Sequence, residues 1–201
     1  MSKVKIKQKW LSLSAETNAL DCLEQAYHYI CQAEKKDISW KWIIITLHGA
    51  LYGFAICACK GTSSRNVIYK TRRGVEKLIS FDKALEHCQD PNWMKMTATS
   101  KHLQLSNQQE DSIQKLKKDF RNNFEHFIPT SWLIELYGMP KIAIDVLGII
   151  RFLALDTGNY VHLKDAQKRK VKSLVFQSKR ILEQSQLYKE YKLAQKKKRY
   201  R

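Results

Sequence analysis

The chain has 201 residues, 44% of them hydrophobic, with seven Gly and three Pro. This is ample for one well-packed domain, and it excludes a disordered or Gly/Pro-rich chain. A formal charge of +17 points to a polyanionic partner, either nucleic acid or an anionic membrane surface. Residues 164–201 hold 14 Lys or Arg against Asp165, Glu183 and Glu190, a net of +11 that leaves +6 for the first 163 residues.

Lys3, Lys5, Lys7 and Lys9 alternate with Val4, Ile6 and Gln8, as in a short strand or an extended arm. No apolar stretch follows, so this start does not read as a secretory signal. Ser14 caps an expected first helix over 14–36, with Leu20, Leu23, Tyr27 and Ile30 on one face. A second helix is expected over 39–60. It is uncharged between Lys41 and Lys60, and it carries a small-residue pair at Gly49 and Gly53. Eighteen such residues reach the lower limit for a membrane span. Thr46, His48 and Tyr52 interrupt the run, and no second segment of that kind exists, so the reading is a central helix covered on all sides.

Gly61 ends that helix, and 61–78 reads as a basic loop with a short strand near 67–69. Ser80 caps a short helix through Cys88, Asp90-Pro91 breaks the chain, and 91–105 is expected to be irregular. The next helix has Ser106 as its cap, with Gln109 completing a capping box, and ends before Pro129. A short helix is expected over 131–137. Pro140 then opens an apolar helix to about Asp156, and a basic helix runs over 163–195 into a frayed tail. The organisation is therefore a basic arm at 1–12, an antiparallel helical bundle at 13–160, and a basic helix and tail at 161–201. The fold class is all-α.

Cysteines stand at 22, 31, 57, 59 and 88, an odd number with no pair at the two-residue spacing of zinc or redox sites. They read as reduced thiols in a cytoplasmic protein. No His, Asp and Glu set has metal-ligand spacing, and His28, His48, His87, His102 and His162 read as structural or surface residues. No cofactor is expected.

The most informative stretch is Arg121-Asn122-Asn123-Phe124-Glu125-His126. The apolar stripe of its helix is Ile113, Leu116, Phe120, Phe124 and Phe127. At about 100° per residue, Arg121, Glu125, Asn122 and His126 fall on the opposite side, at about 0°, 40°, 100° and 140°. They are not needed to fill the core.

An arginine, a polar residue beside it and a histidine after four intervening residues resemble the signature of the HEPN superfamily (higher eukaryotes and prokaryotes nucleotide-binding). The direct match covers 121–126, and the coarser helical similarity spans about 15–160. The resemblance implies a HEPN-type antiparallel bundle and a metal-independent endoribonuclease, a dimer with a composite active site. It also implies a toxin or defence effector restrained by an antitoxin or sensor. Arg121, Asn122 and His126 would be the catalytic residues, with Glu125 in support.

The chemistry suits these residue types. RNA carries its own nucleophile, the ribose 2′-hydroxyl; histidine titrates near neutrality, and the arginine fork matches two phosphate oxygens. Asn122, four residues before His126, is placed to orient the imidazole or to bond the sugar or phosphate. Arg121 and His126 are about 140° apart on one helix and converge poorly, which a two-fold dimer would resolve. Lys117, Lys118, Arg72, Arg73, Lys196, Lys197, Lys198 and Arg199 are the candidate RNA contacts. A non-catalytic RNA-binding or partner-binding module is the competing reading. A membrane-associated protein using 42–59 is a third, and the expected protein has no membrane role.

Overall fold

The computed structural model describes residues 9–125, 131–159 and 162–199, with the backbone alone described for Lys198 and Arg199. The expected N-terminal arm largely falls outside this range, as do His126, Phe127 and the expected helix end before Pro129. The architecture is all-α apart from one small hairpin.

Helix α1 (Ala15–Ile30) starts at a Ser14 cap whose side chain accepts the Thr17 amide, while Thr17 reaches back to the Ser14 amide. It ends six residues before the expected limit, because the Gln32 and Ala33 amides turn to carbonyls three residues back. Helix α2 (Ser39–Lys60) runs through the centre. Ile43, Leu47, Leu51, Phe54, Ala55 and Ala58 are all fully enclosed, Ile45 and Tyr52 on the other side are half-buried, and Trp42 near the start stays 41% exposed. It is long and apolar enough to cross a membrane, and 67% of that stretch is buried inside the bundle.

The small residues of α2 have a packing role. A Cβ built on Gly53 would stand 2.7 Å from the Ala19 Cβ and 3.1 Å from its Cα, and one on Gly49 would stand 3.0 Å from the Cys22 sulfur. Helices α1 and α2 therefore approach through these glycines. Where the pair ends, the Lys60 ammonium meets the Glu16 carboxylate at 2.9 Å, and that carboxylate is nearly enclosed. Burial raises the Glu16 pKa, but the hydrogen bond and charge of Lys60, with its other hydrogen bonds, outweigh that and hold it below the usual range.

The 61–78 stretch forms a two-stranded antiparallel hairpin, β1 (Ile68–Lys70) paired with β2 (Glu76–Leu78), exposed along both strands. Helix α3 (Phe81–Gln89) is capped by Ser80 as expected, and a single turn, α4 (Pro91–Met94), follows. Residues 95–105 have no regular structure but are tied down. Met94 and Leu103 are buried, the Lys101 amide donates to the Thr157 carbonyl, and Ser100 donates to Asn159 Oδ1 at 2.7 Å.

Helix α5 (Asn107–Gln114) opens on the expected Ser106–Gln109 capping box. It continues through a π-helical stretch (Lys115–Arg121) into one α-turn, α6 (Asn122–Glu125). Helix α7 (Met139–Arg151) likewise passes into a π-helical end (Phe152–Asp156).

Two expected elements are corrected. Residues 131–136 are not helical: Trp132, Ile134 and Leu136 are half-buried while Leu133 is 97% exposed, the two-residue alternation of an extended strip lying on the bundle. The basic C-terminal helix is two helices, α8 (Asp165–Gln184) and α9 (Gln186–Arg199), broken at Ser185. Buried Ser185 has ψ of 149°, donates to the Leu182 carbonyl at 2.6 Å, and accepts the Tyr188 amide, so it closes one helix and caps the next. The segment expected to fray is helical to Arg199. Val171, Leu174, Val175 and Leu182 of α8 are buried, and α8 packs on α1 and α7.

Gly53→Ala tests the α1–α2 approach. The added methyl must push backbone apart, so a loss of about 1–3 kcal/mol is expected despite the better helix propensity of Ala. Thermal unfolding should move down by several degrees; an unchanged midpoint would show that the two helices have room to spare.

Candidate functional site

The π-helical stretch decides the geometry around Arg121. Within it the Asn122 amide donates to the Lys117 carbonyl, five residues back, so the turn carries an extra residue and the ideal wheel no longer holds. Ile113 and Leu116 are buried as expected, whereas Phe120 and Phe124, stacked at 6.4 Å, are only partly covered. Arg121 and Asn122 are half-buried instead of facing solvent. The expectation that both sit on the open side of the helix is thus corrected: the wider turn rotates them toward the body of the protein, and this stretch packs on α2.

Arg121 is held by two neighbours on its own helix. Its Nη2 pairs with Glu125 Oε2 at 2.6 Å, one α-helical turn on, and its Nη1 donates to Asn122 Oδ1 at 3.1 Å. Its Nε is buried and has no hydrogen-bond partner among the described residues. The guanidinium is oriented by its own helix, its side chain is 29% exposed, and it keeps one unmet donor. His126 lies outside the described residues.

His48 of α2 is the residue that periodicity did not bring to this site. It is 8% exposed, its ring stacked on Phe81 at 4.5 Å and near Tyr52, whose hydroxyl donates to the Ile79 carbonyl. Burial lowers its pKa to about 4, and the positive charges of Arg121 and Lys117 push the same way while Asp82 opposes them. It is therefore neutral at pH 7, close to two cations. The one cue in the sequence is a histidine inside an otherwise apolar helix, which reads equally well as a core residue.

Lys117 is half-buried and ion-paired with Asp82 across the α3 side, so it helps to dock the helix and supplies local positive charge. Lys118 is exposed. Arg72 and Arg73 are exposed in the hairpin turn beside Gly74, which has a φ of 78°. Lys196 and Lys197 are exposed on α9, and the side chains of Lys198 and Arg199 fall outside the description. The structure thus joins Arg121 to Asn122 and Glu125, and it brings the charges of Arg121 and Lys117 close enough to His48 to act on its titration. The arginines of the hairpin and the lysines of α9 belong to other parts of the surface.

All five cysteines are free, and Cys57, Cys59 and Cys88 are buried, where burial pushes the Cys57 thiol up to about 12. Among the described residues, no three His, Cys, Asp or Glu side chains are grouped to hold a metal ion. No protein-family model, curated protein or solved structure matches this chain.

The state of His48 has a measurable consequence. Its folded pKa of about 4 lies below the roughly 6.5 of an unfolded histidine, so the unfolded chain takes up the proton first as pH falls. Stability is complete above about pH 6.5 and is lost toward pH 4, by about 2 kcal/mol at pH 5 from this group alone. His48→Leu should flatten the dependence of the urea midpoint on pH between 7 and 5. His87, also lowered by burial, would supply part of the remaining slope. An undiminished slope in the variant would show that His48 titrates normally.

Proposed function

We propose that this protein is a metal-independent endoribonuclease of the HEPN type, acting as a cytoplasmic toxin or defence effector. The observation that carries the reading is the state of Arg121. A half-buried guanidinium is pre-oriented by Asn122 and Glu125, keeps an unmet Nε donor, and sits on a π-helical turn, a local geometry frequent at functional sites. The all-helical fold and the +17 charge are in keeping with it.

In this mechanism the ribose 2′-oxygen attacks the adjacent phosphorus while its proton passes to a base. The 5′-oxygen leaves with a proton from an acid, giving a 2′,3′-cyclic phosphate and a free 5′-hydroxyl. His126 exchanges the protons, and Arg121 holds the equatorial oxygens as charge builds on them. Asn122 keeps the guanidinium in plane. Glu125 has two consequences: it aims Arg121, and it must yield part of the ion pair when phosphate arrives. The resemblance calls for a homodimer whose two motif helices face each other across the two-fold axis, so that each cleft draws on both chains. An antitoxin or sensor would act by covering that cleft. Helix α2 has no membrane role in this account.

The Arg121–Glu125 ion pair itself favours a second reading, a non-catalytic RNA-binding module in which the arginine is already satisfied. Activity separates the two. Purified protein incubated with total RNA in excess EDTA should cleave it, and Arg121→Ala or His126→Ala should reduce the rate by at least about a hundred-fold. RNA affinity should change little. Asn122→Ala should cost less, because it removes an orienting contact alone. Mixed dimers of the two inactive chains should regain part of the activity. Full activity in either single variant would contradict the mechanism, and no cleavage by the unaltered protein would leave the binding module.

A further inference from the structure

Helix α9 forms one wall of a cleft of about 260 Å³ whose other walls are the first turns of α5 and α7. Tyr188 and Tyr191 line it, near-parallel to each other with ring centroids 6.3 Å apart. Lys141, Lys192 and Lys196 stand around them, and Gln108 projects from α5. Lys141 is neutralised by Asp145, whereas the Lys192 ammonium lies 5.6 Å over the Tyr188 ring and no carboxylate pairs with it or with Lys196 among the described residues. Gln108 and Lys141 both come from the N-terminal turns of their helices.

Each feature alone has a bland explanation, since tyrosines cover helices and lysines solubilise them. Together they form a hollow with flat aromatic surfaces, two unpaired ammonium groups, and an amide able to donate and accept. Those are the requirements of one nucleotide: a base to stack, a base edge to bond, and a phosphate to neutralise. The tyrosines are also fixed in place. The Tyr137 hydroxyl donates to the Glu190 and Tyr191 carbonyls, and the Tyr137 and Tyr191 rings lie 5.6 Å apart, so α9 is pinned to the bundle at this point. A stacking surface that is already rigid loses little entropy on binding.

We infer that the cleft between α9 and the first turns of α5 and α7 is a docking site for one nucleotide of single-stranded RNA, remote from the cleaved phosphate. The inference rests on the ribonuclease reading for the identity of the polymer, and it adds a second grip on the same strand. Gln108 and Arg121 stand at opposite ends of one continuous helix. Thirteen residues at about 1.5 Å each separate them by about 20 Å. A stacked strand rising about 3.4 Å per nucleotide along its axis needs on the order of six nucleotides to touch both. Exposed Lys115 and Lys118 lie on the intervening helix. The cleft therefore makes the enzyme prefer long single strands without setting the chemistry of the cut, and stacking on tyrosine makes it tolerant of base identity.

The test uses the full chain carrying Arg121→Ala, so that bound RNA stays intact. The probes are fluorescein-labelled oligouridylates of two and twelve nucleotides, read by anisotropy at low salt. Adding Tyr188→Leu and Tyr191→Leu should weaken binding of the twelve-mer about ten-fold or more and so narrow its advantage over the two-mer, which is too short to touch both sites. Tyr188→Phe with Tyr191→Phe keeps the rings and should bind as the parent does. Circular dichroism spectra and thermal melts establish that each variant is folded. A Leu variant that does not fold passes the question to Lys192→Ala with Lys196→Ala, which should weaken the twelve-mer and lower its salt slope by up to about two.

Twelve-mer binding that is equal in all folded variants would overturn the cleft while leaving the nuclease reading intact. If no RNA binds to the parent at all, both fall together. Weakening of an acidic peptide ligand in place of RNA would reassign the cleft to a protein partner.

Discussion

Helix α2 has no polar face, and the rest of the structure follows from the need to cover it. Its apolar residues run from Trp40 to Ile56 around the whole circumference, so helices must approach from every direction. On one side α1 comes close because Gly49 and Gly53 remove the side chains that would hold it off. On the others α3, α7 and the π-helical stretch ending at Arg121 cover most of the rest, leaving Trp42 exposed near its start. The same constraint has a chemical by-product. One of the polar residues that α2 carries in its middle, His48, becomes a neutral imidazole within the field of Arg121 and Lys117.

The two π-helical stretches fit this arrangement. Both pack against α2, one within the α5–α6 helix at Lys115–Arg121 and one at the end of α7 at Phe152–Asp156. An extra residue per turn lets the stripe shift where the surface it lies on curves away. At Arg121 the result is a cationic side chain drawn partly inward, with its Nε enclosed and its two terminal nitrogens engaged by neighbours on the same helix. Such an arginine is ordered before any ligand arrives, which is the condition under which it can stabilise developing charge without reorganising.

Where side-chain period and caps were strong, the sequence was readable. The bounds of α2, the Ser80 and Ser106 caps, and the apolar face of α7 all follow from local rules that tertiary contacts did not override. The misses have particular causes. Trp132, Ile134 and Leu136 alternate as an extended strip does, but Trp, Leu, Ile and Glu in succession also suit a helix. Ser185 was one polar residue in a polar helix, and only its buried cap geometry reveals the break. The π-helical turn has no residue code, so the inward rotation of Arg121 was invisible, and with it the approach to His48. Of the candidate site, the residue types and their spacing were legible, while their burial and the company they keep were not.

The central claim is that the RNA itself supplies the nucleophile, with Arg121 holding the phosphate it attacks. The most direct measurement is the chemistry of the cut ends. A twelve-nucleotide RNA cleaved at one site should yield a 2′,3′-cyclic phosphate and a 5′-hydroxyl by mass spectrometry. The same oligonucleotide with a single 2′-deoxyribose at the cut position should remain whole there. Fragments ending in a 3′-hydroxyl and a 5′-phosphate, or cleavage of the deoxy-substituted strand at the same rate, would contradict the account.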